Sequence, residues 1–130
     1  MAKTERTKLI QKVDATFSEF VRRKHADEQG RVACFTCGAV KHWKEMHAGH
    51  FQTRAKYATR WHDRNVRPQC PRCNIFKSGE QYAFAKALDA EHGEGTADEV
   101  VQLSNQRASI TMDALRWMLE TYRERIRELE

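Results

Sequence analysis

Two Cys-x-x-Cys pairs, Cys34/Cys37 and Cys70/Cys73, constrain what this chain can fold into more than any other feature. Zinc takes four tetrahedral ligands, and thiolate is among its best, so two such knuckles complete one closed site. A closed site has no open position for substrate, so its role is structural. It brings the chain before the first knuckle against the chain after the second, and pins everything between them. With 130 residues the core is thin, and a metal staple supplements it. Two disulfides would use the same four cysteines. However, Met1 to Lys12 is polar and basic, without the apolar core of a signal peptide. No apolar run approaches the roughly 18 residues of a membrane span. The expectation is a cytoplasmic protein with no membrane contact, where paired knuckles favour zinc over disulfides.

The net charge of +5 is unevenly distributed. Residues 51–77 carry seven Lys and Arg against Asp63 alone, whereas residues 78–130 carry six basic and eleven acidic side chains. Positive charge is therefore densest in the segment running up to and just past the second knuckle. That suits a polyanion such as DNA, whose phosphates attract Lys and Arg without regard to sequence. The plainer alternative is a solvated, arginine-rich loop.

Periodicity predicts an α+β chain. Leu9, Val13, Phe17, Phe20 and Val21 recur at helical spacing within residues 5–25, and Gln29-Gly30 follows as a stop. Val32 to Val40 reads as an extended stretch holding the first knuckle. Trp43 to Phe51 reads as a strand leading into a Gly49-His50 turn, and Asn65 to Gln69 as a second short strand. Residues 52–64 between them read as irregular. A helix is expected from Pro71, which a first turn tolerates, broken or restarted at Ser78-Gly79 and continuing to His92. Thr96 is expected to cap a further helix with Glu99 three residues on, and Thr111 to Glu130 to form a long one. The domain reading is an N-terminal helical extension over 1–30, a zinc-stapled core over 31–92 and a C-terminal helical extension over 93–130.

Between and just after the knuckles stand His50, Asn65 and Asn74. Cutting a phosphodiester with one metal needs a base to activate water, a hard cation on the phosphate, and a scaffold for both. His50 suits the base, because its ordinary pKa lies near neutrality. Asn74 can offer a carbonyl oxygen to Mg²⁺ or Mn²⁺, and Asn65 can bond backbone across the loop and hold His50 in place. Each also has a plainer reading, as a polar surface histidine, a turn asparagine and a helix cap. Arg54, Lys56, Arg60 and Arg64 in the loop, and Lys77 after Asn74, are candidate phosphate contacts. Tyr57 and Trp61 interleave with them, either to stack on exposed bases or to pack the small core. His25, His42, His62 and His92 are read as ordinary histidines, since the cysteines already complete the zinc site.

The stretches Cys34-Phe-Thr-Cys37-Gly, Ala48-Gly-His50-Phe51, Arg64-Asn65-Val66 and Gln69-Cys-Pro-Arg-Cys-Asn74 together resemble the zinc-bearing HNH, or His-Me finger, nucleases. The nearer resemblance is to the phage NinG/Rap recombination endonucleases. It spans roughly residues 20–103 and is loose in the flanking helices. Phage endonuclease VII looks like a more distant relative. The resemblance implies a small zinc-stapled ββα-metal core and a DNA endonuclease acting on branched recombination intermediates such as Holliday junctions and D-loops, in the host cell of a phage or prophage. It implies His50 as general base, Asn65 as orienting residue and Asn74 as a ligand of the catalytic ion. Many such enzymes place an Asp or His immediately before the catalytic histidine; here that position is Gly49, and His47 is the nearby substitute. Two other readings stand beside this one: a non-catalytic zinc-stapled DNA-binding module, and an HNH nickase of ordinary duplex DNA. Two cuts at a two-fold junction make a homodimer attractive, with the 111–130 helix as its surface, and recombination proteins are further candidate partners.

Overall fold

The computed structural model describes residues 2–130. Four α-helices, α1 (Glu5–Lys24), α2 (Gln81–His92), α3 (Thr96–Ser104) and α4 (Met112–Glu128), surround two small antiparallel sheets. One sheet pairs β1 (Arg31–Ala33) with β2 (Val40–His42). The other pairs β3 (His47–His50) with β4 (Val66–Gln69) in the register His47↔Gln69, Ala48↔Pro68, Gly49↔Arg67 and His50↔Val66. The α+β expectation holds. Among the described residues no helix is long and apolar enough to cross a membrane.

α1 begins where Thr4 accepts a hydrogen bond from the Thr7 N–H, and α4 where Thr111 accepts from Ala114, so each helix satisfies an otherwise orphaned donor. The apolar stripe of α1 is buried at Val13, Phe17, Phe20 and Val21. It packs against Leu115 and Leu119 of α4 and against Val66 of β4. Tyr122 meets Phe17 edge-on with ring centroids 4.9 Å apart. α2 and α3 form a second core around Phe84, Leu88, Ala97 and Val100, with Phe51 stacked on Phe84 at 5.4 Å. Burying side chains of this size contributes about 1.5–3 kcal/mol each. The knuckles form a third cluster, Cys34, Cys70 and Cys73 with Val32 and Met46.

Several local expectations are corrected. Trp43–Glu45 is a turn of 3-10 helix, so the strand starts at His47 rather than Trp43. Gly49 and His50 lie within β3 and not in a turn after it. The helix after Pro71 breaks at Ser78-Gly79 as expected, with Ser78, Gly79 and Glu80 all at positive φ, but its first piece, Arg72–Phe76, is a π-helical turn and not α-helix. Thr96 does not cap α3: its hydroxyl donates to the Gly93 carbonyl, and Asp89 of α2 reaches across to accept from the Ala97 N–H at 2.8 Å. A neighbouring helix supplies the cap, which local sequence does not disclose.

Candidate active site

The four thiols converge as their spacing predicts. Their Sγ atoms lie within 4.8 Å of one another, and Cys37 and Cys70 approach to 3.7 Å with no disulfide between them. A tetrahedron with zinc–sulfur arms of about 2.3 Å has edges of about 3.8 Å, so the cluster fits a zinc ion. A backbone bond draws the knuckles together, Phe35 N–H donating to Pro68 O at 2.8 Å, and Gly38 N–H closes the first knuckle on Cys34 O at 2.9 Å. Burial pushes the Cys73 thiol up to about 12. Burial opposes ionisation of Cys34 too, but hydrogen bonds from the Thr36 hydroxyl and from backbone N–H groups outweigh it and pull that thiol down to about 6. A bound cation would reconcile four crowded sulfurs by favouring thiolate at each.

Beside the cluster, the β3–β4 hairpin, α1 and the π-helical turn enclose an open cleft of about 880 Å³. His47, His50 and Asn74 all line it, with Asp14, Arg22 and Arg54. His50, half-buried, bonds the Arg60 carbonyl through Nε2 at 3.0 Å. A carbonyl only accepts, so this contact favours the tautomer with its proton on Nε2 and the lone pair on Nδ1. Burial is the main cause that lowers the His50 pKa below its ordinary value; the Arg60 carbonyl opposes it and the Arg54 charge adds to it. Burial thus favours the neutral imidazole.

Asn65 lies fully buried beside this site and does not touch the His50 ring. Its side-chain oxygen accepts from Gln52 N–H at 2.7 Å, and its amide donates to the carbonyls of Gln52 and Thr59 at 3.0 Å each. These bonds cross the base of the 51–65 loop, which carries the Arg60 carbonyl. Asn65 is thus linked to His50 only through the loop and not by a direct hydrogen bond.

On the other side, the Asn74 amide donates to His47 Nδ1 at 3.0 Å. An imidazole nitrogen and an amide group within one hydrogen bond of each other are donor types that suit a divalent ion, so these two residues fit the set that would hold one. Gly49 has a steric explanation. A Cβ there would stand 1.9 Å from Oε1 of Gln69. Gln69 is fully buried and donates to Thr36 Oγ1 at 3.0 Å and to Gly79 O at 2.9 Å. The space a ligand side chain would need at position 49 is filled by Gln69.

The candidate phosphate contacts divide. Arg54 and Lys77 are exposed, and Arg54 lines the cleft. Arg64, also exposed, lies 3.9 Å from Glu99, and Lys56 donates to Asn105 at 3.0 Å. Arg60 is engaged inside the protein: its guanidinium bonds both oxygens of Asp14, at 3.0 and 2.6 Å. Trp61 donates to the same carboxylate at 2.9 Å and packs against the α1–α4 core, so it is a core residue with a satisfied indole. Three residues around the site escaped the reading of the sequence. Asp14 and Arg22 line the cleft from the N-terminal helix, far along the chain from His50, and Gln69, buried beside Gly49, precedes a cysteine without any motif of its own. No signal in a single sequence marks them; they become visible only when α1 docks on the hairpin.

The family model described as "Bacteriophage Lambda NinG protein" matches residues 1–130. The chain is similar to the proteins called "Protein ninG" of Escherichia phage lambda, Escherichia phage 933W and Salmonella phage P22. Each is 25% identical over 130 residues, covering 99% of this chain. The chain spans 61% of the lambda and P22 proteins and 62% of the 933W protein. No solved structure matches the chain.

Proposed function

The chain belongs to the NinG family of phage proteins, and on that premise we propose that it is a metal-dependent DNA endonuclease of the HNH type, cutting branched recombination intermediates such as Holliday junctions and D-loops. The observation that carries this reading is the pairing in one cleft of a neutral His50, its Nδ1 unprotonated, with the His47–Asn74 contact. In this reading the β3–β4 hairpin and the helical turn after it form the ββα-metal core, with the zinc-stapled knuckles at its base.

His50 Nδ1 takes a proton from water as the water oxygen attacks the phosphorus. The ester P–O bond breaks, and the leaving oxygen collects a proton from solvent. The Arg60 carbonyl holds the ring in the tautomer this requires, and Asn65 holds the loop that bears that carbonyl. His47 and Asn74 would hold a Mg²⁺ or Mn²⁺ ion, which when bound supplies positive charge to the scissile phosphate and leaving oxygen. Arg54, at the cleft, and exposed Lys77 are the cations best placed to meet phosphates.

The test compares wild type, His50→Ala and His47→Ala on a four-way junction and a linear duplex, with Mg²⁺ or Mn²⁺. His50→Ala is expected to lose about 10²–10⁴-fold in cleavage. His47→Ala is expected to lose cleavage while keeping its zinc, and unchanged Mg²⁺ dependence there would count against His47 as a ligand. Cleavage surviving His50→Ala would overturn the mechanism. Equal cutting of duplex and junction would make the protein a duplex nickase. Tight binding with no cleavage of either DNA would make it a zinc-stapled binding module.

A further inference from the structure

We propose that Phe76 is a wedge that packs against unstacked bases at a DNA branch point, with Lys77 beside it on the phosphates. This rests on the reading of the chain as a branched-DNA endonuclease and gives that reading a source of structure selectivity.

Among the described residues Phe76 is the most exposed large apolar side chain, at 81%, and Tyr82 at 75% and Ile75 at 57% accompany it. The same chain buries Phe17, Phe20, Phe51 and Phe84. The backbone that presents Phe76 is unusual and firmly held. It closes a π-helical turn, a feature frequent at functional sites. Soon after come Ser78, Gly79 and Glu80 at φ values of 52°, 87° and 50°, two of them non-glycine residues in the left-handed region. Such conformations are strained and persist only where their surroundings enforce them. Here Gly79 N–H donates to Cys73 O at 2.8 Å, and the buried Gln69 amide donates to Gly79 O. The thiol cluster therefore anchors the segment that carries the ring.

The surroundings choose the occupant. Arg72, Lys77 and Lys86 are exposed around these side chains, and the Lys86 ammonium lies 4.9 Å from the Tyr82 ring centroid. Aromatic faces interleaved with cations are the chemistry that binds unstacked nucleic acid. Asn74 and Ser78, two residues to either side of Phe76, both line the cleft. Consecutive Cα atoms are about 3.8 Å apart, so the Phe76 backbone lies within about 8 Å of each. DNA whose phosphate enters the cleft comes within reach of this patch. A continuous duplex keeps its base faces stacked, whereas a branch point exposes them, so an inserted ring rewards the branch.

The test uses the full zinc-loaded chain carrying His50→Ala, to prevent cutting, and a four-way junction with 2-aminopurine at the branch, against a linear duplex of matching sequence. Phe76→Ala is expected to weaken junction binding about 5- to 100-fold. It should leave duplex binding within about 2-fold and remove the fluorescence rise that reports unstacking. Phe76→Trp is expected to restore both. Trp117→Ala, at an exposed aromatic residue on α4, should change neither. The proposal is overturned by an unchanged junction preference in Phe76→Ala, by an equal fall on both DNAs, or by the same loss in Trp117→Ala. With His50 intact, absence of all cleavage beside a Phe76-dependent fluorescence rise would remove the nuclease and keep the wedge. Cleavage by Phe76→Ala at the wild-type junction-to-duplex ratio would remove the wedge and keep the nuclease.

Discussion

Nε2 of His50 lies 3.0 Å from the main-chain oxygen of Arg60, ten residues further along the chain. The catalytic reading of the cleft depends on this contact, because it decides which ring nitrogen is left to accept a proton.

The contact sets a pH profile. Burial holds the His50 pKa below 6.5, so the neutral ring persists to lower pH than a free histidine would allow. Junction cleavage at saturating metal should be level near pH 7 and fall only as pH drops through a midpoint below 6.5. The stability sign is the same. The unfolded chain takes up this proton first, so folding stability from His50 is complete above pH 6.5 and declines as pH falls toward the lower folded value. A cleavage midpoint at or above 6.5 would count against His50 as the base.

Asp14 supports the loop that carries the Arg60 carbonyl, since it accepts from Arg60 and from the Trp61 indole. Asp14→Ala leaves the Trp61 indole unpaired and Arg60 with only its bond to the Arg54 carbonyl, and should cost about 1–3 kcal/mol, read as a lower urea midpoint. Cleavage at saturating junction should fall as well, with zinc content unchanged. Wild-type stability and rate together in this variant would show that the loop is held without Asp14.

Gly49→Ala places a methyl group against the locked Gln69 side chain. Overpacking of this kind costs about 1–3 kcal/mol. Adding Gln69→Ala opens the space, so the double variant should lose less than the two single losses combined, a coupling that a double-mutant cycle in urea measures. Additive losses would mean that the two positions do not compete for one space.

Zinc binding should release protons, because the buried Cys73 thiol sits far above neutrality without a cation beside it. Calorimetric titration of metal-free chain in buffers of different ionisation enthalpy measures the number released. One zinc per chain is expected, with loss of the cooperative thermal transition on chelation or in Cys70→Ser. A chelated protein that melts as before would show the cluster to be dispensable for folding.

The parts of the fold that were legible are those governed by local pattern. The α1 stripe from Val13 to Val21 is buried as its period implies, and the long helix expected from Thr111 to Glu130 runs over Met112–Glu128. The parts that were not legible depend on distant partners. Asp89 replaces Thr96 as the cap of α3, and the piece before the expected break at Ser78-Gly79 winds as a π-helical turn. Both are settled by packing, which outweighs propensities worth less than about 1 kcal/mol per residue.

What the sequence by itself determined is the chemical inventory: four cysteines at zinc spacing, a histidine and two asparagines in order around them, and a concentration of arginines between. Ligand spacing is a short-range property, so it survives in one dimension. What only the tertiary structure decided is which of those groups are free to act. Docking of α1 occupied Arg60 with Asp14, and Gln69 filled the space beside Gly49. The strand register and the turn after the second knuckle brought His47 to Asn74. Those outcomes depend on close-packed neighbours that are remote in the chain, and no local pattern encodes them.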